Sequence, residues 1–239
     1  MKLRTVYLLA FGAILLIMIL VMISSFSNIA KLVSRDVELS SLPTIMIDAG
    51  HGGEDGGAQA GGVVEKDINL DIARKAADIL RLSGYTVKEV RREDVSVYSD
   101  DADTLREKKV SDLNNRVKLF NERDNQLVVS IHQNQFDNSK YHGTQIFYSE
   151  NHPDSVDLAK SIQTSVVLLL QNDNNRKIKP GGKDIFILKN TTVPAVIVEC
   201  GFLSNPEELQ KLTDQTYQKE IAYAIVMGVI DYQDQKNLK

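Results

Sequence analysis

The stretch TIMIDAGHGGEDGGAQAGGVVEKD, residues 44–67, decides how this chain is read. It opens as a buried strand, Ile45-Met46-Ile47, and breaks into a run of glycines around His51 before a helix begins at Glu65. Glycine costs backbone entropy in strands and helices alike, so regular structure cannot continue through the run. What the glycines offer is positive φ and close backbone approach, which lets the loop fold tightly around something. The two side chains it can deliver with chemical force are an imidazole and a carboxylate, both of them metal ligands. The spacing fits neither a dinucleotide fingerprint nor a phosphate loop ending in Gly-Lys-Ser/Thr.

Downstream, strands and helices alternate. Asp67 reads as a helix N-cap, Ile68, Ile72, Ala76, Ile79 and Leu80 keep one helical face apolar, and Gly84 stops the helix. Residues 85–90 read as a second strand. Residues 95–109 are charged and irregular, a solvated insertion without the spacing of a calcium loop. Ser111 reads as the cap of a second helix with Leu113, Val117 and Phe120 on one face. Strands follow at 127–131 and 145–148, a helix at 153–170, a polar loop at 172–182 and a buried strand at 195–199. Asn205 or Ser204, with Pro206 and two glutamates, starts another helix, and Tyr217, Ile221, Ala224 and Ile225 mark the last. The pattern predicts an α/β fold: a single domain with a twisted, mostly parallel sheet and helices on both faces.

Composition narrows the setting. The 239 residues carry a net charge of -4 with no basic block, which gives nucleic acid no electrostatic footprint. The single cysteine excludes an intrachain disulfide framework. Residues 6–23 form an uncharged apolar run behind Lys2 and Arg4, just long enough to span a bilayer. The basic flank puts Met1 in the cytoplasm and the rest of the chain outside. The run is either a signal-anchor that stays or a signal peptide cut after Ser27; its length favours the anchor. The expected layout is a membrane or signal segment at 1–27, a linker at 28–43 and an exported folded domain at 44–239.

In parallel sheets, sites form outside the carboxyl ends of the strands. His51 follows the first strand, Glu65 opens the next helix, His132 ends the third strand and Glu199 ends a later one. Alone, a histidine at a strand end is commonly a satisfied polar residue. Glu199 at the end of an apolar strand is stranger, because a buried unpaired carboxylate is costly. Two imidazoles and a carboxylate are a usual ligand set for catalytic zinc, and a remaining carboxylate is what metal-assisted hydrolysis needs as a proton shuttle. Cys200 should point to the opposite face from Glu199 as a packing thiol. His142 and His152 lie in polar loops. The apolar run at 166–170 cannot all face one way on a helix, which leaves a protein-binding patch open.

Several ordered motifs are also familiar together. The segment Asp48-Ala-Gly-His-Gly-Gly-Glu-Asp-Gly-Gly-Ala58, then Glu65-Lys-Asp-Ile-Asn-Leu70, resembles the opening of the zinc-dependent N-acetylmuramoyl-L-alanine amidases. So do Arg91 with Asp94, Arg116 with Asn121, Ser130-Ile-His132-x-Asn134 and Glu199-x-Gly-Phe-Leu-Ser-Asn205. The membrane-anchored layout and Gln145 before Phe147-Tyr148 look most like the germination-specific, CwlD-type amidases of spore formers. The resemblance implies that His51, Glu65 and His132 bind Zn2+ and that Glu199 is the catalytic carboxylate. It implies hydrolysis of the amide between the muramic acid lactyl group and L-alanine of peptidoglycan, in spore cortex preparing muramic-δ-lactam for germination. Asn134 is a candidate for orienting a ligand. Arg91 and Arg116 are candidates for meeting a stem-peptide carboxylate, with structural ion pairs, such as Arg91 with Asp94, the stronger expectation. The helix that blocks the metal in some family members should be absent, since the span from His132 to Tyr148 is short. Gln135 and Cys200 depart from the family pattern without removing a required group. No wall-binding repeat is attached, so an accessory or activator protein is an expected partner. A non-catalytic wall-binding module and a zinc peptidase acting on stem peptides are the alternatives.

Overall fold

In chain order the elements are β1 (Thr44–Ala49), β2 (Gln59–Ala60), β3 (Val63–Val64), α1 (Glu65–Leu82), β4 (Val87–Glu89), α2 (Leu105–Phe120), β5 (Gln126–Asn134), β6 (Gln145–Tyr148), α3 (Asp154–Leu169), β7 (Lys179–Pro180), α4 (Phe186–Asn190), β8 (Ala195–Phe202), α5 (Pro206–Thr213) and α6 (Gln215–Asn237). This computed structural model describes residues 42–238 and, upstream, residues 17, 18 and 20–22, which are helical. The expected membrane or signal segment at 6–23 and the linker at 28–43 lie largely outside the described residues. Among those described, no helix is long and apolar enough to cross a membrane.

The strands build one six-stranded sheet of order β4-β1-β5-β8-β6-β7 and a small β2-β3 hairpin. Strands β4, β1, β5 and β8 run parallel, and β6 runs antiparallel to β8. The residues that alternate along each strand separate into two cores. Ile45, Ile47, Leu127, Val129, Ile131, Val196 and Val198 face α1, α3 and α6. Met46, Val128, Ala195 and Ile197 face α2 and α4, where Phe120, Ile187 and Leu188 complete a smaller cluster. The second layer is the thinner one, and the polar residues Asp48, Ser130, His132 and Glu199 share its strand parity.

Three helix starts differ from expectation. Helix α1 begins at Glu65, and Asp67 lies in its first turn rather than capping it. The loop supplies the cap: Glu65 N donates to Ala58 O at 2.9 Å and Lys66 N to Gly56 O at 3.1 Å. Helix α2 begins at Leu105, so 105–109 is helical rather than irregular. Thr104 and Glu107 form its capping box, while Ser111, expected as the cap, sits inside the helix and accepts from Ser99 N. The short α4 was not anticipated, because five residues carry too little periodicity to read. Asn205 caps α5 as expected, accepting from Glu207 N and Glu208 N.

The loop after β1 is held by two buried arginines. Arg116 pairs with Asp48 through Nη1, and its Nε donates to Asp112 Oδ2 at 2.6 Å. It also donates to the carbonyls of Ala49 and His51, at 3.0 and 2.7 Å. Ser130 Oγ donates to the other Asp48 oxygen at 2.6 Å. Arg91 donates to the carbonyls of Ala49, Gly50, Lys66 and Glu93. The expected Arg91–Asp94 pair does not form; Asp94 pairs with Lys66 at 2.6 Å instead. Nor do these arginines offer a guanidinium to a substrate carboxylate, since both are buried and their donors satisfy carbonyls that left the ladder.

Arg116→Met is expected to destabilise the domain by about 3–5 kcal/mol in urea unfolding, the cost of leaving Asp48 as a lone buried charge. A loss below about 1 kcal/mol would put the pair among ordinary surface ion pairs. Gly228 lets α6 approach α3 closely: a Cβ there would lie 2.4 Å from Ile162 Cα. Gly228→Ala is expected to lower stability by about 1–3 kcal/mol through overpacking, measured the same way, without changing the metal uptake of the distant sheet edge.

Candidate active site and metal centre

His51, Glu65, His132 and Glu199 come together at the carboxyl edge of the sheet. His51 sits in the loop after β1 with φ 61°, a left-handed conformation unusual for a side-chain-bearing residue. Glu65 is the first residue of α1. His132 on β5 is the ladder partner of Glu199 on β8. The two imidazole rings meet edge to face at 5.0 Å between centroids.

Glu65 lies between the imidazoles. Its Oε2 is 3.3 Å from His51 Nε2, and its Oε1 is 3.1 Å from His132 Nδ1. The same carboxylate accepts from Ala58 N at 2.8 Å, Asn69 Nδ2 at 3.1 Å and Gln133 N at 3.1 Å. Burial alone would raise its pKa, but the hydrogen bonds and charges of His132 and His51 outweigh it and hold the group well below the usual carboxylate range. On the far side of His51, Nδ1 lies 3.0 Å from Asp55 Oδ2. The hydrogen bond from His51, set against some burial, keeps Asp55 ionised, so Nδ1 carries the proton and Nε2 points at Glu65. Burial opposes a charge on His51, yet its contacts with Asp55 and Glu65 win and push its pKa up to about 9.

Glycines make this closeness possible. A Cβ on Gly50 would lie 2.2 Å from His132 Nε2, and one on Gly57 would lie 2.5 Å from Glu65 Oε2. Gly57 also has φ 69°.

The donor set fits a divalent metal. One ligand atom each from His51, Glu65 and His132 lies within 4.8 Å of the others. Two nitrogens and a carboxylate oxygen are the chemistry of a three-protein-ligand catalytic site. Glu199 stands apart from them in one respect. The residue as a whole is half-buried, but its Oε2 is shut off from solvent with no hydrogen-bond partner. Burial, with the charge of Glu65 adding to it and the histidines partly offsetting it, raises Glu199 to about 7. His51, His132 and Glu199 floor a cavity of about 310 Å³ between α2 and the start of α4. No helix interrupts residues 135–144 between β5 and β6, so nothing from that segment caps the cavity as a blocking helix would.

Asn134 is half-buried just beyond His132; its carbonyl accepts from Leu203 N at 2.8 Å, and its side chain makes no hydrogen bond to the four groups. The neighbour Gln133 does that work through its main chain, with its side chain donating to Asn69 Oδ1 at 3.1 Å. Asp55, Asn69 and Gln133 were missed in the sequence. A carboxylate four residues from His51, and an amide one helical turn from Glu65, were the available signals. Cys200 faces the opposite layer, buried, with burial pushing its thiol pKa up. His142 is exposed and His152 half-buried in loops, as expected.

Comparison with known proteins agrees with this geometry. The family model of N-acetylmuramoyl-L-alanine amidases matches residues 45–231. The germination-specific N-acetylmuramoyl-L-alanine amidase of Bacillus subtilis is 35% identical over 80% of this chain and 80% of its own length. The CwlD amidase of Clostridioides difficile, solved in complex with the GerS lipoprotein, is 42% identical over 80% of this chain and 98% of that one, with a TM-score of 0.77. A second amidase from Clostridium difficile 630 is 30% identical over 82% of this chain and 99% of that one, with a TM-score of 0.70. From sheet edge to family model the observations converge: the chain belongs to the N-acetylmuramoyl-L-alanine amidase family.

Proposed function

We propose that the chain hydrolyses the amide between the muramic acid lactyl group and L-alanine of peptidoglycan, with His51, Glu65 and His132 as Zn2+ ligands and Glu199 as the catalytic carboxylate. The observation that carries this is the unpartnered Glu199 oxygen beside a preformed His-Glu-His donor set. A binding module has no need of such a costly group.

A bound zinc ion supplies Lewis-acid polarisation of the scissile carbonyl and acidifies water. The chain's own residues do the rest. Glu199 takes a proton from the attacking water and returns it to the alanine nitrogen as the C–N bond breaks. Asp55 holds the His51 ring and its tautomer, and Asn69, Ala58 and Gln133 fix the Glu65 carboxylate. Arg116 and Arg91 hold the loop that presents His51 and act on substrate only through it.

The layout proposed is a membrane anchor or signal segment at 1–27, a linker at 28–43 and the catalytic domain at 44–239, acting outside the cytoplasm. Its cell-wall relatives support export, and the germination-specific B. subtilis relative supports a role in spore cortex. The lipoprotein seen with the C. difficile CwlD amidase supports an accessory protein for this chain.

Metal analysis and digestion of purified cortex peptidoglycan, with product masses, test the reading. His132→Ala is expected to lose the metal. Glu199→Gln is expected to keep it while activity falls about 10²- to 10⁴-fold, the range of a general acid–base group. Equal activity in Glu199→Gln would remove that residue from the chemistry, and shortened peptides would make the enzyme a peptidase. The pH profile follows from the same carboxylate. Glu199 must be ionised to accept a proton; burial raises it from 4.5 to about 7, and the positive charge of a bound ion lowers it again. The acid limb of kcat/KM is therefore expected between pH 4.5 and about 7, with activity lost as pH falls through it. A limb above this window would assign it to another group.

A further inference from the structure

One run of cations has no task in the chemistry above. Arg176, Lys177, Lys179 and Lys183 lie within eight residues that hold no acid. Ile178, Pro180 and two glycines separate them, so they make no block in the sequence. The fold sets them along one edge. None of the four forms an ion pair among the described residues, and the three lysines are exposed.

Strand β7 is the outer strand of the sheet. Its Lys179 is the ladder partner of Phe147, which packs on the smaller core, while Ile178 packs on the larger one. Alternation therefore turns Lys177 and Lys179 to the face that carries His132 and Glu199. Glu199 pairs with Gln145 on β6, and Gln145 Nε2 donates to Lys177 O at 2.9 Å. At about 4.8 Å per strand, the Lys177 main chain stands about 10 Å from that of Glu199 along one row of the sheet.

The Arg176 end of the run is built rather than loose. Arg176 Cζ lies 4.3 Å from the Phe202 ring centroid, its Nε donates to His142 O at 2.7 Å and its Nη1 to Gln145 Oε1 at 3.0 Å. Its Nη2 has no partner among the described residues. Lys140 and Arg176 both stand against the Tyr141 ring, at 5.6 and 5.7 Å, and line a cavity of about 430 Å³ whose one carboxylate is Asp173. Asp137 shares the loop of Lys140. Buried Glu208 is engaged, accepting from Gly143 N and Phe202 N. The other exposed acids, Glu150 and Asp184, lie at the far end beside the Gly181–Gly182 turn and Lys183, leaving Arg176, Lys177 and Lys179 unopposed along β7.

Edge lysines also keep a sheet from pairing with a second one. That task does not account for this run, since Pro180 already removes a donor from a two-residue strand and Arg176 lies outside it. At the opposite edge, Lys88 of β4 is paired with Glu122 at 2.5 Å. Cations spread along an edge, rather than converging on one cavity, match repeated carboxylates on a polymer better than a single acid.

We propose that Arg176, Lys177 and Lys179, with Lys140 beside them, form a second binding site for peptidoglycan, which holds carboxylates of the polymer outside the unit being cleaved. The proposal rests on the amidase reading for the identity of the polymer. The site acts on how the enzyme is held to the wall and takes no part in the bond-breaking step.

Cosedimentation with insoluble peptidoglycan tests it, using the full chain in a Glu199→Gln background so that binding is read without turnover. The polymer is supplied with its peptide carboxylates free or chemically amidated. Binding to the free acid is expected to be about tenfold tighter, from several exposed contacts of modest strength each, and raised salt should abolish the difference. Lys177→Glu with Lys179→Glu should erase the preference, and Lys177→Arg with Lys179→Arg should keep it, with the melting temperature as the check of folding. Equal binding of acid and amide, or unchanged binding by the glutamate variant, would overturn the site and leave this edge to an acidic partner protein. The chain with Glu199 intact and zinc supplied is then assayed for peptide release. Lysine-dependent binding without release would sink the amidase reading and leave the site standing. Release with no dependence of binding on the lysines would do the reverse.

Discussion

Everything at the sheet edge depends on how three carbonyls are satisfied. Strand β1 leaves its ladder at Ala49, and the next residues must turn sharply to present His51. Their carbonyls, at Ala49, Gly50 and His51, then lie in the interior with no strand to bond. Arg116 and Arg91 reach them from two sides. Two buried guanidiniums would repel each other and cost several kcal/mol each to desolvate without compensation. Asp48, on the same strand, supplies the compensating charge, and Asp112 adds another. The strained φ of His51 is tolerable because the residues before and after it are fixed this firmly.

The same loop sets the electrostatics. Glu65 is buried, yet it is ionised, because two imidazoles, two main-chain N–H groups and an amide converge on it. Against the pull of burial, the Asp55 and Glu65 carboxylates raise His51, so protons sit where a metal ion would. Metal binding to such a site must displace protons, which ties affinity to pH. Glu199 shares the cavity but none of these donors. Burial, with the charge of Glu65 adding to it and the histidines partly offsetting it, raises it to about 7.

Much of this is legible in the sequence. The alternation of Ile45, Ile47, Leu127, Val129, Val196 and Val198 with amphipathic helices specified a covered, mostly parallel sheet, because burial on both faces leaves few alternatives. His51, Glu65, His132 and Glu199 could be picked out as polar residues at strand ends, where a buried group needs a reason. What stayed hidden was local competition. The first N–H groups of α1 were capped by loop carbonyls, which no side-chain motif announces. The Thr104–Glu107 capping box lay inside a run so charged that it read as solvated loop. Arg91 found carbonyls rather than Asp94, since the need of an unpaired backbone is invisible in a residue string. Asp55 and Asn69 act through His51 and Glu65, and only distance reveals them.

The division of labour between sheet and loop follows from these facts. His132 and Glu199 stand opposite each other on neighbouring strands, so their spacing is set by the sheet, about 4.8 Å between strands. The register then shifts between His132 and Asn134, a bulge that ends the regular pairing just past His132. His51 and Glu65 sit instead on a glycine loop and a helix start. Strand pairing thus holds His132 and Glu199 at a fixed spacing. His51 and Glu65 come from outside the sheet, and arginine and main-chain hydrogen bonds, not strand pairing, hold them against His132.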